Sequence, residues 1–104
     1  MTEAAIMRQI QLAMTKLGHR VFRNSVGVAT TDTGYVIRFG LAVGSSDLIG
    51  WTSDGKFLAI EVKRPGKKTT QAQRDFIEAV RKAGGIAMVA CSAEEAVAGL
   101  SRPC

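Results

Sequence analysis

A glutamate and a lysine two residues apart close an otherwise apolar run, Phe57-Leu58-Ala59-Ile60-Glu61-Val62-Lys63. The composition is that of a strand. Side chains alternate between faces, so Leu58, Ile60 and Val62 point one way while Phe57, Ala59, Glu61 and Lys63 point the other. Two charges on one face of an apolar strand are costly to bury unless they pair with each other or with an ion. A salt bridge on a half-exposed strand would meet that need, and so would a chemical site. Upstream, Ser46-Asp47-Leu48-Ile49-Gly50-Trp51 forms a second short apolar run, separated from the first by Thr52-Ser53-Asp54-Gly55-Lys56. Asp-Gly between two apolar runs signals a hairpin. Antiparallel pairing across that turn carries Asp47, at the start of one strand, to Glu61, at the end of the other. Two carboxylates so close do not both stay ionised without a cation. Beside Lys63 they point to a divalent metal held by oxygen ligands.

The remaining segments supply the scaffold. From Thr2 to Leu17 the residues Ile6, Met7, Ile10, Ala13, Met14 and Leu17 recur at three and four, and Gly18 follows as a stop. This predicts an amphipathic helix. Glu3 precedes Ile6 by three and Met7 by four, so it falls on the apolar stripe. It either complements the positive helix N-terminus or adds a third carboxylate to the acid cluster. Arg20-Val21-Phe22-Arg23-Asn24 alternates as a strand. Ser25 to Val43 is rich in Gly and Thr, and Tyr35-Val36-Ile37-Arg38-Phe39 within it predicts a short strand pairing with Val26-Gly27-Val28-Ala29 across Thr31-Asp32-Thr33-Gly34. A stretch this long in a small domain is usually functional, which makes Arg38 a candidate nucleic-acid contact. Gly44-Ser45-Ser46-Asp47 would let the backbone approach a ligand closely, which adds Ser45 and Ser46.

Beyond the acid pair, Arg64, Lys67 and Lys68 stand in a Pro-Gly loop at the mouth of any site there. Such a loop is commonly just solvated; beside a metal its charges would track phosphates. Thr70-Gln71-Ala72-Gln73 fits a capping box opening a helix that turns Phe76, Ile77, Val80 and Ala83 inward, with Gly84-Gly85 as its end. Gln73 lies on the inward face too, where the return bond of the capping box and a role in the site both remain open. Ile86-Ala87-Met88-Val89-Ala90-Cys91 predicts a buried strand after a helical crossover, and Ser92-Ala93-Glu94-Glu95 caps a last helix ending near Gly99. The expected fold is α/β, a small mixed β-sheet flanked by helices in the order α-β-β-β-α-β-α, with residues 1–104 as one domain.

Composition narrows the function classes. A chain of 104 residues with 46% apolar and 22% charged residues has the make-up of an ordinary soluble domain. No apolar run reaches the length of a membrane span, and Met1-Thr2-Glu3 does not open a secretory leader, so a cytoplasmic, non-secreted protein without a membrane partner is expected. Cys91 lies in an apolar run, Cys104 is the last residue and His19 is the lone histidine. That set offers neither a disulfide framework nor a zinc site. His19, after a helix end, is expected as a surface or capping group. A net charge of +5 and a pI near 9.7 favour a polyanionic partner.

Acid, hairpin and acid-x-Lys together resemble the nuclease signature written PD-(D/E)xK, with Ser46 where that signature has proline. Adding Glu3 on the first helix, the Gly44-Ser45-Ser46-Asp47 segment and the Thr70-x-x-Gln73 helix, the chain resembles the virus-type replication-repair nuclease (VRR-NUC) family over nearly its whole length. That family belongs to the restriction-endonuclease-like superfamily. The resemblance implies a restriction-endonuclease-like fold and metal-dependent cleavage of DNA phosphodiesters without an organic cofactor. Small phage members of the family act as dimeric, structure-selective nucleases. A homodimer cutting branched or four-way-junction (Holliday-type) DNA in a bacterial or phage-infected cell is therefore implied. Carried over residue by residue, Asp47 and Glu61 would bind Mg²⁺ or Mn²⁺ with help from the Val62 carbonyl, and Glu3 would be an outer or second-metal ligand. Lys63 would orient or deprotonate the attacking water, or stabilise developing charge, and Gln73 would position water or a phosphate oxygen. Arg64, Lys67, Lys68, Ser45, Ser46 and Arg38 would contact DNA. The alternative is a non-catalytic nucleic-acid-binding accessory protein using the basic loop and the Ser25 to Val43 segment, a role that would tolerate loss of the acids.

Overall fold

A computed structural model describes residues 1–101. Helix α1 (Glu3–Lys16) starts where the Thr2 hydroxyl accepts a hydrogen bond from the Ala5 amide, closing one of the amides a helix start leaves open. Ile6, Met7, Ile10 and Met14 are buried along one stripe, as their spacing predicts. Gly18, at φ +89°, turns the chain out of the helix toward β1 (Arg20–Arg23). At that corner His19 Nδ1 accepts the Ser53 amide at 2.9 Å. The imidazole thereby ties a later hairpin turn to the end of α1.

Strands β2 (Gly27–Thr30) and β3 (Val36–Phe39) pair antiparallel about the 31–34 turn, and β4 (Leu48–Trp51) and β5 (Phe57–Val62) pair antiparallel about the Asp54-Gly55 turn. Helix α2 (Gln71–Lys82) crosses over to β6 (Ile86–Ala90), which runs parallel to β5, and α3 (Ala93–Gly99) follows. The main sheet is mixed, in the spatial order β1-β4-β5-β6, while β2 and β3 form a separate two-stranded ribbon. The main sheet and its helices thus follow the expected order α-β-β-β-α-β-α. The ribbon is an insertion between the first and second strands of that sheet.

Alternation along β5 decides which core each residue enters. Leu58, Ile60 and Val62 join Leu48, Met88 and the buried stripe of α1, where α3 also packs. Ala59 joins Ile77, Val80 and Ala87 beneath α2. Burying an aliphatic side chain of this kind contributes about 1.5–3 kcal/mol, so several on one central strand offset the cost of drawing one carboxyl in with them. Glu61 is that carboxyl. Cys91 follows β6 half-buried and has no disulfide partner among the described residues; Cys104 lies outside them. No helix among the described residues is long and apolar enough to cross a membrane.

Candidate metal centre and nucleic-acid cleft

Leu48 stands opposite Ile60 in the β4–β5 ladder, so Asp47 and Glu61 are each one step further, at the end of the strand pair and on the side facing α2. Asp47 Oδ2 accepts the Val62 amide at 2.9 Å. Glu61 is only 2% exposed. Its Oε2 accepts Gln73 Nε2 at 3.2 Å and lies 3.6 Å from Lys63 Nζ. Its Oε1 is buried with no hydrogen-bond partner. Burial, and then the neighbouring Asp47 carboxyl, push Glu61 up to about 8 against the pull of Lys63.

Gln73 makes the return bond of the capping box, and the same side chain also reaches Glu61. Its backbone amide donates to Thr70 Oγ1 at 3.1 Å and its Oε1 accepts the Thr70 amide at 2.8 Å, which completes the capping box. Its remaining amide nitrogen reaches Glu61. The 44–47 segment lies against the start of this helix because Gly44, at φ +87°, has no Cβ; one added there would stand 2.6 Å from the Ala72 backbone.

Asn24 joins the site without having been expected there. Its backbone amide donates to the Asp47 carbonyl at 2.7 Å. Its Nδ2 donates to Ser45 Oγ at 2.7 Å and to the Ser46 carbonyl at 2.9 Å, while its Oδ1 accepts the Leu41 amide at 3.1 Å. One residue thus ties β1 to the segment that delivers Asp47. A polar amide ending an alternating strand was the available signal, but its partners depend on the register of β1 against β4.

Two expected DNA contacts must be corrected. Ser45 is buried, with its hydroxyl engaged by Asn24 and the Ala42 carbonyl, and Ser46 is fully buried. The Ser45 hydroxyl holds the turn through its bonds to Asn24 and Ala42, whereas Ser46 Oγ is buried without a hydrogen-bond partner, so neither side chain is presented to a macromolecule. Arg38 is exposed on β3 in the ribbon, outside the main sheet. Arg64, Lys67 and Lys68 are exposed in the loop between β5 and α2. Glu3 is half-buried in the first turn of α1, one turn before Met7 on the same stripe. Met7 itself lines a cleft of about 510 Å³ with Arg23, Asn24, Gly44, Asp47 and Gln73.

Among the described residues no three His, Cys, Asp or Glu side chains gather closely enough to hold a metal ion. Glu3 therefore stands outside the immediate reach of the acid pair. Two carboxylates suffice for Mg²⁺, which keeps several waters and shares its remaining positions with substrate phosphate. The donors fit such an ion: all are oxygens, one buried carboxylate oxygen has no partner, and two acids repel each other in its absence. A family model described as the VRR-NUC domain matches residues 10–94, a span that includes Asp47, Glu61, Lys63 and Gln73 and begins after Glu3. A comparison with curated proteins finds no match.

Proposed function

The chain belongs to the VRR-NUC domain family, a nuclease family, and from that membership and the buried acid pair we propose that it is a Mg²⁺- or Mn²⁺-dependent DNA endonuclease. The observation that carries this is Glu61, a nearly inaccessible carboxylate with one oxygen bound by Gln73 and Lys63 and the other left without a partner beside Asp47. Asp47 and Glu61 would hold the ion with the Val62 carbonyl, and Glu3 would reach it only through an outer, water-bridged contact. When bound, the ion supplies a lowered pKa for water and neutralises charge on the scissile phosphate. Lys63 orients the attacking water, or takes its proton, or stabilises charge developing on the phosphate. Gln73 fixes the orientation of Glu61 and offers a donor to water or phosphate oxygen.

The exposed cations Arg64, Lys67 and Lys68 would hold the DNA backbone at the mouth of the cleft, with Arg38 on the ribbon as a more distant contact. Reversing charge at Lys67 and Lys68 should weaken binding to all DNA sequences alike. Counterion release makes the logarithmic salt slope shallower by about 0.9 for each phosphate the variant no longer neutralises. Filter binding across a salt series checks this; an unchanged slope would move the DNA path elsewhere.

A homodimer acting on branched DNA completes the proposal. Every residue of β3 is exposed, including Val36, Ile37 and Phe39, and Leu41 just beyond it is exposed too. A two-stranded ribbon is marginal by itself in water, and apolar side chains on such a ribbon favour a covering partner. A two-fold dimer would present two cutting centres to the antiparallel strands of a symmetric junction. Ile37→Asp should convert a species of twice 11.1 kDa into a folded 11.1 kDa monomer, as read by light scattering and circular dichroism. A wild-type protein that stays at 11.1 kDa with DNA and metal present would contradict the assembly. Labelled linear, flapped and four-way DNA incubated with Mn²⁺ tests the activity and its selectivity together: branched substrates should be cut fastest, and equal rates would refute structure selectivity. Binding without any cutting would favour the non-catalytic alternative.

A further inference from the structure

On the side of the sheet that carries the acid pair, helix α2 packs on β5 and β6 and leaves β1 and β4 uncovered. That uncovered part is a trough of about 580 Å³ walled by Phe22, Ile49, Trp51 and Phe57. The register explains the cluster, since Phe22 stands opposite Ile49, and Trp51 stands between Arg20 and Phe57. Phe22 is 56% exposed, Trp51 50% and Phe57 41%. The Phe22 and Trp51 ring centroids are 5.7 Å apart. Rings of this size on adjacent strands carry a large apolar area, and leaving them in water costs free energy that a covering group would recover.

Two observations and a general property of nucleobases indicate the covering group. Arg23 and Asn24 line both this trough and the cleft that ends on Asp47 and Gln73, so the two adjoin at those residues. No carboxylate among the described residues lines the trough; Arg23 stands at its cleft end, and Arg20 lies on the same face opposite Trp51, which complements a polyanion. Finally, aromatic faces beside cations are the platform on which unpaired bases stack, whereas bases inside a continuous duplex already have both faces covered. We propose that the Phe22–Trp51–Phe57 trough is a stacking subsite for an unpaired nucleobase adjoining the cleavage cleft. Among branched substrates the subsite then adds affinity for those, such as flaps, in which unpaired nucleotides border a duplex, and adds none for a fully paired four-way junction. This rests on the nuclease function proposed for the neighbouring acid pair.

Trp51 is the sole tryptophan, so its emission reports on the trough directly. In EDTA, a duplex ending in a short oligothymidylate overhang should quench it saturably, and the same duplex with blunt ends should not. The affinity ratio of overhang to blunt duplex should fall roughly tenfold in Phe22→Ala and in Phe22→Leu, which keeps apolar bulk without a ring, and should persist in Phe22→Tyr. Equal quenching by blunt duplex, or a Phe22→Leu ratio equal to wild type, would overturn the proposal. So would an emission change on dilution without DNA, which would assign the trough to a second copy of the chain. A parallel incubation with Mn²⁺ separates the two claims. Stacking without cleavage of any DNA would refute the nuclease function and leave the subsite standing, while cleavage with an unresponsive Trp51 would refute the subsite alone.

Discussion

Glu61→Gln is expected to abolish DNA cleavage, by roughly 10²-fold or more, while leaving the protein folded. The substitution removes the carboxylate that completes the proposed ion site but keeps the shape that the core has closed around. Gln73 Nε2, which donates to Glu61 Oε2 at 3.2 Å, can donate equally to a glutamine oxygen. A neutral amide also removes the repulsion with Asp47 that helps to push Glu61 up to about 8, so the metal-free variant should melt at or above the wild-type temperature at pH 8 and beyond. Asp47→Asn should behave alike, because an asparagine oxygen can still accept the Val62 amide that Asp47 now binds at 2.9 Å. Lys63→Ala should lose cleavage as well, with smaller consequences for packing because its side chain is partly exposed. Cleavage rates and thermal melts on the same samples check all three. Full activity in a folded variant would remove that residue from the site.

The second large effect is on pH. In the unfolded chain Glu61 gives up its proton near 4.5, and in the folded protein it keeps it to about 8. Between those values the folded state binds more protons than the unfolded state, so the metal-free protein should lose stability as pH rises through that window and then level off. Proton and ion compete for the same carboxylate, so Mn²⁺ affinity should rise about tenfold per pH unit over the same range and then plateau. Glu61→Gln should flatten the stability slope. Melting temperatures in EDTA and calorimetric titration with Mn²⁺, taken from about pH 3.5 to about pH 9 so as to bracket both titrations, read the two effects. An Mn²⁺ affinity independent of pH would separate Glu61 from the ion.

Much of this arrangement was legible in the chain because its signals are local. The Asp54-Gly55 turn sets the β4–β5 register, and with it the meeting of Asp47 and Glu61; period two then assigns Leu58, Ile60 and Val62 to one core and Ala59 to the other. Thr70 and Gln73 announced their helix start for the same reason. What escaped depends on packing between distant segments. Asn24 reaches the 44–47 segment only through the pairing of β1 with β4. Ser45 and Ser46 looked open in a glycine-led loop, yet Gly44 folds that loop inward against Ala72 and buries them. Glu3 lies on the stripe its spacing predicts, but how far it stands from the acid pair is set by how α1 crosses the sheet, which helical period does not encode. The trough over β1 and β4 was likewise hidden, since nothing in the α2 sequence states how much of the sheet that helix covers.

The most direct test of the proposed ion-dependent chemistry is the rate at which the purified chain cuts labelled four-way DNA at about pH 8, where about half of the metal-free Glu61 has given up its proton, with Mn²⁺ titrated in from an EDTA-treated stock. Cleavage that is absent in EDTA, rises saturably with Mn²⁺ and is lost in Glu61→Gln is the predicted result. Cleavage that persists undiminished in EDTA, or that is as fast in folded Glu61→Gln as in wild type, would contradict it.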